Sequence, residues 1–557
     1  MPKPDSVYSA QSDNTFWKWG NPQQSFHLSD FPKFKSFLEH QWNTQLTDDF
    51  RPPDLISTLA ESRFSSQDFQ RCFPALHLSK FNNSVASRLR YSMGKSYHDL
   101  IRIFTGKLPP LADFIIFPED DKDIVHILEQ ASRHQIQIIP YSGGSNVTGA
   151  LQPTVNSPCC VVNMQRMNRL ISVDKVSHTA VFETGIFGPD IEKTLHPRGF
   201  TLGHFPQSFE YSTLGGWLAT RSGGQESGQY GKIEDMVLGL KAIAPAGIIE
   251  TASYPRHASG IDTFRLFIGS EGTLGIITQA TLHIRPLPAS YQWVVCLFKS
   301  FEGAVEVIRR LVQENIRPGI LRLSDETETL LFSKMRSEEP RGLKKLVASF
   351  LKSRLMRKGF SRPSILMMRF ALHNKADSCF PKAAARFLQS AGAFLLPASA
   401  AGNWEAHRFT LPYLRDTLVE HRILIDTFET VGRWSDVPRI YAHVRSALAH
   451  SDFYAQGGFL LCHISHVYDS GACLYFTMLV RQRKGFEAEQ WEEYKTLVTE
   501  ALVQAGGAVS HHHGVGMDHL SWYRKQTAAY EKKLLRAIKT HLDPHHILNP
   551  GKLFDET

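Results

Sequence analysis

The sequence predicts an α+β fold that contains an α/β domain opened by a βαβ unit. Two observations carry this reading: a strand–helix–strand pattern between Phe114 and Pro140, and a series of glycine-rich segments that follows it as far as Thr278. Taken in order, residues 1–104 are rich in Trp, Phe, Pro, Ser and Asp without a clear period, and read as an N-terminal extension wrapped on the body. Phe114-Ile115-Ile116-Phe117-Pro118 is a short apolar strand ended by proline. Glu119 to Arg133 reads as a helix: acids gather in its first turn, and Ile124, Val125, Leu128 and Ala131 make one apolar face. Ile136-Gln137-Ile138-Ile139-Pro140 is the second strand of the unit.

The loop that follows, Tyr141-Ser142-Gly143-Gly144-Ser145-Asn146-Val147-Thr148-Gly149, carries no net charge. Consecutive backbone N–H groups in such a loop can form a nest for a pyrophosphate. It is neither GxGxxG nor a Walker loop, because no Gly-Lys-Ser/Thr follows. Val181–Gly188 reads as a strand entering a turn. Pro206-Gln207-Ser208-Phe209-Glu210-Tyr211-Ser212-Thr213-Leu214-Gly215-Gly216-Trp217 and Thr220-Arg221-Ser222-Gly223-Gly224 come next. Gly269-Ser270-Glu271-Gly272-Thr273-Leu274-Gly275-Ile276-Ile277-Thr278 closes the series. Each segment alone is compatible with turn chemistry. Together they imply backbone gathered around one large, polar, phosphate-bearing cofactor.

Composition sets the bounds. The 557 residues, 42% hydrophobic and 21% charged, suit a soluble globular protein with several cores. Seven scattered cysteines are no disulfide framework, which points to a reducing compartment. The N-terminus lacks the basic-then-apolar shape of a signal peptide, and no apolar run approaches a membrane span. The C-terminus is not a Ser-Lys-Leu-type peroxisomal address. A cytoplasmic location, with peripheral attachment to a membrane as an option, is the expectation. The net charge of +8 fits an anionic substrate, a membrane surface or nucleic acid. Much of the excess lies in Lys334–Phe360, with nine Lys/Arg against two Glu and apolar residues at helical spacing. That is either a basic amphipathic helix for an anionic membrane surface or an ordinary half-buried helix. No nucleic-acid motif accompanies the charge, so no nucleic acid is expected as a partner.

Near the C-terminus stands Ser510-His511-His512-His513-Gly514-Val515-Gly516. Imidazoles move protons near neutrality, and the two glycines allow close backbone approach to a ligand. In an extended segment His511 and His513 would share one face and His512 the other. Proton handling or phosphate binding at an active site is the leading reading. A structural role and a metal site are the alternatives. There is no HExxH and no CxxC, and no metal is expected.

The set Tyr141–Gly149, Pro206–Thr213, Thr220–Gly223 and Gly269–Thr278, in this order, resembles the FAD-binding domain of the vanillyl-alcohol oxidase and para-cresol methylhydroxylase flavoproteins. Asp543-Pro544-His545-His546-Ile547-Leu548-Asn549-Pro550-Gly551-Lys552 resembles that family's closing segment. Within the family the chain resembles most the ether-lipid-forming branch, the alkyldihydroxyacetonephosphate synthases. This closer resemblance rests on Leu321–Asp325, Tyr413–Asp416, Asp426–Thr430, Tyr468–Phe476 and the histidine run.

The resemblance implies a two-part FAD-binding domain with an inserted α/β cap. The expected divisions are an N-terminal extension (1–104), an FAD-binding domain (105–290), a cap or substrate domain (291–505) and a C-terminal segment returning to the FAD site (506–557). It implies FAD held by Pro140–Asn146, Gln207–Thr213, Thr220–Gly223 and Glu271–Ile277. Some family members attach FAD through a histidine in the first loop; Ser145 stands there, so the FAD is expected to be noncovalent. The implied reaction is a non-redox exchange of the acyl group of acyl-dihydroxyacetone phosphate for a fatty alcohol. Tyr475 matches the family's acid/base tyrosine and Arg415 its substrate-contacting arginine. Arg322, between two leucines, is either a buried cation near the flavin or phosphate or a sheet-edge arginine. His511, His512 and His513 would manage protons. A homodimer is expected. The alternative function is an FAD-dependent oxidase or dehydrogenase of a hydroxy acid or alcohol, which the same cofactor domain also serves. Two departures stand out: Gln207 replaces the aspartate of eukaryotic synthases, and Met517-Asp518-His519 replaces basic residues after the second glycine, with Arg524 and Lys525 further on.

Overall fold

The computed structural model describes residues 15–21, 26–154, 158–335, 350 and 353–554. Most of Lys334–Phe360, namely 336–349 and 351–352, lies outside them, and so does most of the basic helix expected there. Among the described residues no helix is long and apolar enough to cross a membrane.

The βαβ unit forms where the pattern placed it. Its helix runs Asp121–His134, with the Asp120 side chain accepting the Asp123 N–H and Asp121 and Asp123 in the first turn. Ile124, Ile127, Leu128 and Ala131 are buried. The flanking strands, Phe114–Ile116 and Gln137–Tyr141, do not pair with each other. Both run parallel to Cys159–Asn163, which lies between them. That central strand is buried at every position, so Cys159–Val162 reads as an apolar run, ended by the buried Asn163. Phe81–Asn82 adds an antiparallel edge. At the other edge the C-terminal segment returns: the Ile138 N–H donates to the Ile547 carbonyl and the Asn549 N–H to the Ile138 carbonyl, each at 2.8 Å.

A second sheet is antiparallel, in the order Leu170–Asp174, Thr179–Glu183, Ile276–His283, Val237–Ala244, Gly247–Glu250. Trp217, Phe182 and Phe267 pack in its core.

The third sheet is the largest and runs from Ser290 to Arg481. Its seven strands are antiparallel, in the order Phe394–Leu396, Ser290–Phe298, Ser364–Leu372, Ile320–Ser324, Phe459–Val467, Gly471–Arg481, Ile423–Arg433. Side chains alternate between its faces with period two. Leu424 and Phe428, Cys462 and Ile464, and Leu474, Phe476 and Met478 point into a core shared with helices Phe301–Gln313, Val437–Ala449 and Glu487–Gln504. Each such buried apolar side chain contributes about 1.5–3 kcal/mol. The alternate residues face the other domain.

The described N-terminal residues form short helices that pack against other elements, where the sequence had shown no clear period. Helix Pro32–Trp42 buries Phe34 and Leu38 against Leu331, Leu414, Leu461 and Leu479 of the cap. At 11 residues the helix is too short for its periodicity to stand out from the surrounding aromatics.

Candidate active site

Between the glycine-rich loops and the free face of the large sheet lies a cavity of about 410 Å³. The strand register sets the order of chemistry along its sheet wall. Tyr475 is paired with both His463 and Glu429, Thr477 with Leu461 and Thr427, and Leu479 with Phe459 and Ile425. A titratable row therefore grades into a hydroxyl row and then an apolar row, which continues into Leu331, Phe332, Leu411 and Leu414. Alternation alone puts these side chains on one face; the register puts unlike strands in step.

The polar end is a stack of flat groups. Tyr475 lies 4.7 Å from the His463 ring at an interplanar angle of 21°, and 5.9 Å from His512 at 18°. The Arg322 guanidinium covers the far side of His463, with two of its nitrogens 3.1 Å from ring nitrogens. Arg322 also donates to Glu328 Oε1 at 3.0 Å, while its Nε has no hydrogen-bond partner among the described residues. Burial disfavours the Glu328 charge, but Arg322 and His463 outweigh it and hold that carboxyl down at about 2. Arg322 is thus a buried, paired cation facing the cavity, not a sheet-edge arginine.

The histidine run is not extended. Buried Glu429 gathers the consecutive N–H groups of His511, His512 and His513 together with the Ser510 hydroxyl. This curls the backbone, and the expected alternation fails. His512 and His513 line the cavity together, while His511 turns away towards Tyr468. A second buried carboxylate, Glu271, accepts the N–H groups of Val515 and Gly516. Lys232 Nζ donates to the His511 carbonyl at 2.8 Å. The unusual Met517-Asp518-His519 pins the other end: Met517 and Asp518 N–H donate to the Thr148 carbonyl, and His519 bonds Lys495 at 2.8 Å. Gly516 has φ +52°, and a Cβ there would lie 2.0 Å from the Thr148 carbonyl oxygen. No other residue fits at this crossing.

Electrostatics keep these rings neutral. Burial lowers the pKa of His511, His512, His513 and His463, and takes His466 down to about 4. Burial also pushes the Tyr475 phenol above its ordinary 10, only partly opposed by a Thr427 hydrogen bond. Tyr475 is therefore a proton donor at neutral pH in this environment, not a ready base.

His466, Cys473, His511 and His512 bring potential ligand atoms within 4.8 Å of one another. The ring nitrogens of His466 and His511 are already engaged: His466 with Ser465 and the Gly224 carbonyl, His511 with Tyr468 and His512. The cluster reads as a hydrogen-bond network.

The other expected site residues divide. Pro140 to Asn146, Gln207, Ser208, Ser212, Thr213, Thr220, Ser222, Gly223, Glu271, Gly272 and Gly275 to Ile277 line the cavity. Phe209 and Leu274 do not; both are packed in the core of the second sheet. Thr273 turns inward to bond the Ser270 carbonyl. Arg221 lies outside, exposed and paired with Glu234. Glu210 lies off the cavity, and Tyr211 lines only a small adjoining space. Arg415 lines the cavity, but its nitrogens are bonded to Asp416 and the Lys95 carbonyl. The residues missed are Glu429, His463, Glu328, Lys95 and Arg408. Glu429 and His463 share the parity of Thr427 and Leu461, which was the available signal. Arg408 and Lys95 reach the cavity only through loop and helix packing.

The glycine-rich wall fits a dinucleotide. At Gly143 a Cβ would meet the Tyr211 carbonyl oxygen at 2.5 Å, and Gly144 has φ +69°. Ser142, Ser145 and Thr213 offer hydroxyls beside them, and Asn549 holds an Oδ1 at the wall that has no hydrogen-bond partner among the described residues. The wall is bare backbone and small hydroxyls, as close approach of a pyrophosphate needs. Gly143→Ala is expected to weaken FAD binding by about tenfold or more, roughly 1.4 kcal/mol per decade. Titration of apoprotein with FAD, followed by flavin fluorescence, reads this directly; unchanged affinity would refute the placement.

Comparison with known proteins agrees with the geometry. Residues 112–253 match the family described as FAD binding domain, and residues 287–553 match the C-terminal domain of FAD linked oxidases. The alkyldihydroxyacetonephosphate synthase of Dictyostelium discoideum is 33% identical over 496 residues, covering 87% of this chain and 80% of that protein. The synthase of Trypanosoma brucei brucei is 34% identical over 481 residues, covering 84% and 77%. A solved structure of alkyldihydroxyacetonephosphate synthase superposes with a TM-score of 0.81 at 30% identity, covering 94% of this chain and 93% of that one. FAD-linked oxidoreductases, a glycolate oxidase subunit and a D-lactate dehydrogenase also match, at 24–26% identity.

Proposed function

The chain belongs to the alkyldihydroxyacetonephosphate synthase family, and from that premise we infer that its cavity exchanges the acyl group of acyl-dihydroxyacetone phosphate for a long-chain fatty alcohol. FAD is the cofactor; when bound along the glycine-rich wall it supplies the reactive ring system for this exchange. The ester and the alcohol become an ether and a fatty acid, with no net oxidation. A fatty acid ionises well below neutrality. At neutral pH the balance is therefore one ether, one carboxylate and one released proton.

The observation that carries this reading is the graded sheet wall. One cavity places an apolar row, a hydroxyl row and a stack of titratable groups in sequence opposite the cofactor loops. The apolar row suits the alkyl chains. The polar end suits the reacting centre, where Arg322 and Arg415 supply positive charge for a phosphate. His512 and His513, neutral and beside the Glu429 carboxylate at 3.8 and 3.7 Å, are positioned to take up the alcohol's proton. The anion stabilises the imidazolium that results. Tyr475, protonated, is positioned to hydrogen-bond the departing carboxylate while keeping its own proton.

Purified FAD-loaded protein given palmitoyl-dihydroxyacetone phosphate and hexadecanol is expected to form one alkyl ether per palmitate released, with no electron acceptor consumed. Absence of ether from protein that retains FAD, together with acceptor reduction by a hydroxy acid, would establish the oxidoreductase instead.

A further inference from the structure

We propose that His511 and Tyr468 form a proton relay that carries the alcohol's proton from His512 away from the cavity. The inference rests on the acyl-for-alkyl exchange above, which releases one proton per turnover into a cavity walled by buried side chains. His512 lines that cavity and His511 does not. The two rings are joined Nδ1 to Nδ1 at 2.8 Å. On its far side His511 Nε2 meets the Tyr468 hydroxyl at 2.6 Å. Tyr468 is partly exposed and sits in the turn that closes on Gly471, its carbonyl held by Trp434 Nε1 at 2.9 Å. A continuous hydrogen-bonded path therefore leads from the cavity to the hydroxyl of a partly exposed tyrosine.

The groups around the path favour passage rather than trapping. Glu429 stands 3.8 Å from His512 Nδ1 and also accepts the His511 N–H, so a transient imidazolium at His512 has its counter-charge beside it. Lys232, bonded to the His511 carbonyl, and the His466 ring, 4.9 Å from that of His511, oppose a lasting positive charge on His511. Glu234 and Asp235 lie near Tyr468 at the outer end. The steps balance as single proton transfers. His512 accepts the alcohol proton at Nε2 and gives its Nδ1 proton to His511 Nδ1. His511 gives its Nε2 proton to the Tyr468 oxygen, whose own proton passes to water. Every hydrogen bond of the path survives, with its direction reversed. Tyr468 and His511 act through His512 and are positioning residues.

The test uses full-length, FAD-loaded Tyr468→Phe, which removes one hydroxyl and nothing else. The expected kcat for ether formation falls by about tenfold or more, with FAD content and both KM values unchanged. The solvent deuterium isotope effect on kcat rises, and added imidazole restores part of the rate. His511→Gln, which keeps a polar side chain but cannot pass a proton on, is expected to behave alike. A Tyr468→Phe enzyme within twofold of the unsubstituted rate overturns the relay. So does a slower enzyme with no change in isotope effect and no rescue, which marks a structural role. If the unsubstituted enzyme itself makes no ether, the acyl-exchange reading falls, and the relay falls with it.

Discussion

Glu429→Ala is expected to reduce ether formation by about a hundredfold or more, the scale of losing positioned acid–base groups, and to lower the stability of the chain. Glu429 is 1% exposed and accepts from Ser510 and from three consecutive backbone N–H groups. Without it those donors are buried and unpaired, at about 1–3 kcal/mol each. The histidine loop would then lose the curl that brings His512 and His513 into the cavity together. Thermal unfolding and steady-state rates measure the two effects; an enzyme with wild-type stability would show that the loop holds itself. The same carboxylate predicts a pH effect. Burial alone would raise its pKa, but His512, His513, His511 and Ser510 outweigh burial and hold it well below the ordinary 4.5. A depressed folded-state pKa contributes stability that is fully present above the unfolded value. That contribution is lost only as pH falls below 4.5 towards the folded pKa. Glu429→Ala should therefore narrow the stability difference from the unsubstituted chain in that acid range.

Tyr475→Phe is expected to cost about 10²–10⁴ in kcat while leaving bound FAD and folding intact. The phenol stands between the His463 and His512 rings and points into the cavity, so phenylalanine preserves the stack. Burial holds the phenol protonated through the neutral range. The unsubstituted rate should therefore show no gain as pH approaches 10. Its acid limb should fall below pH 6.5, where the pKa values of His512 and His513 are pushed by burial. A rate that climbs towards pH 10 would make Tyr475 a base and reverse its assigned role.

Much of this was legible in the chain. The strand–helix–strand unit, the glycine-rich series and the returning Asp543–Lys552 segment are local patterns, and local patterns survive folding. Tyr475, His512, His513 and most glycine-loop residues reach the cavity because short motifs place them at strand faces or turns. Phe209, Leu274 and Arg221 show the limit: motif membership does not say which way a side chain points. His511 shows it again. Alternation would have paired it with His513, but a carboxylate 82 residues earlier in sequence curls the loop and sends it to Tyr468.

The cofactor class and the α+β architecture were readable in the residues alone, because glycine-rich turns and strand–helix–strand patterning are local and keep their meaning wherever they stand. Protonation and division of labour came from packing. Burial makes Tyr475 a donor and the histidines neutral, and Glu429 makes a cluster of imidazoles into an inner pair and an outward relay. Dielectric environment and register between distant strands are properties of the packed molecule, and no stretch of sequence contains them.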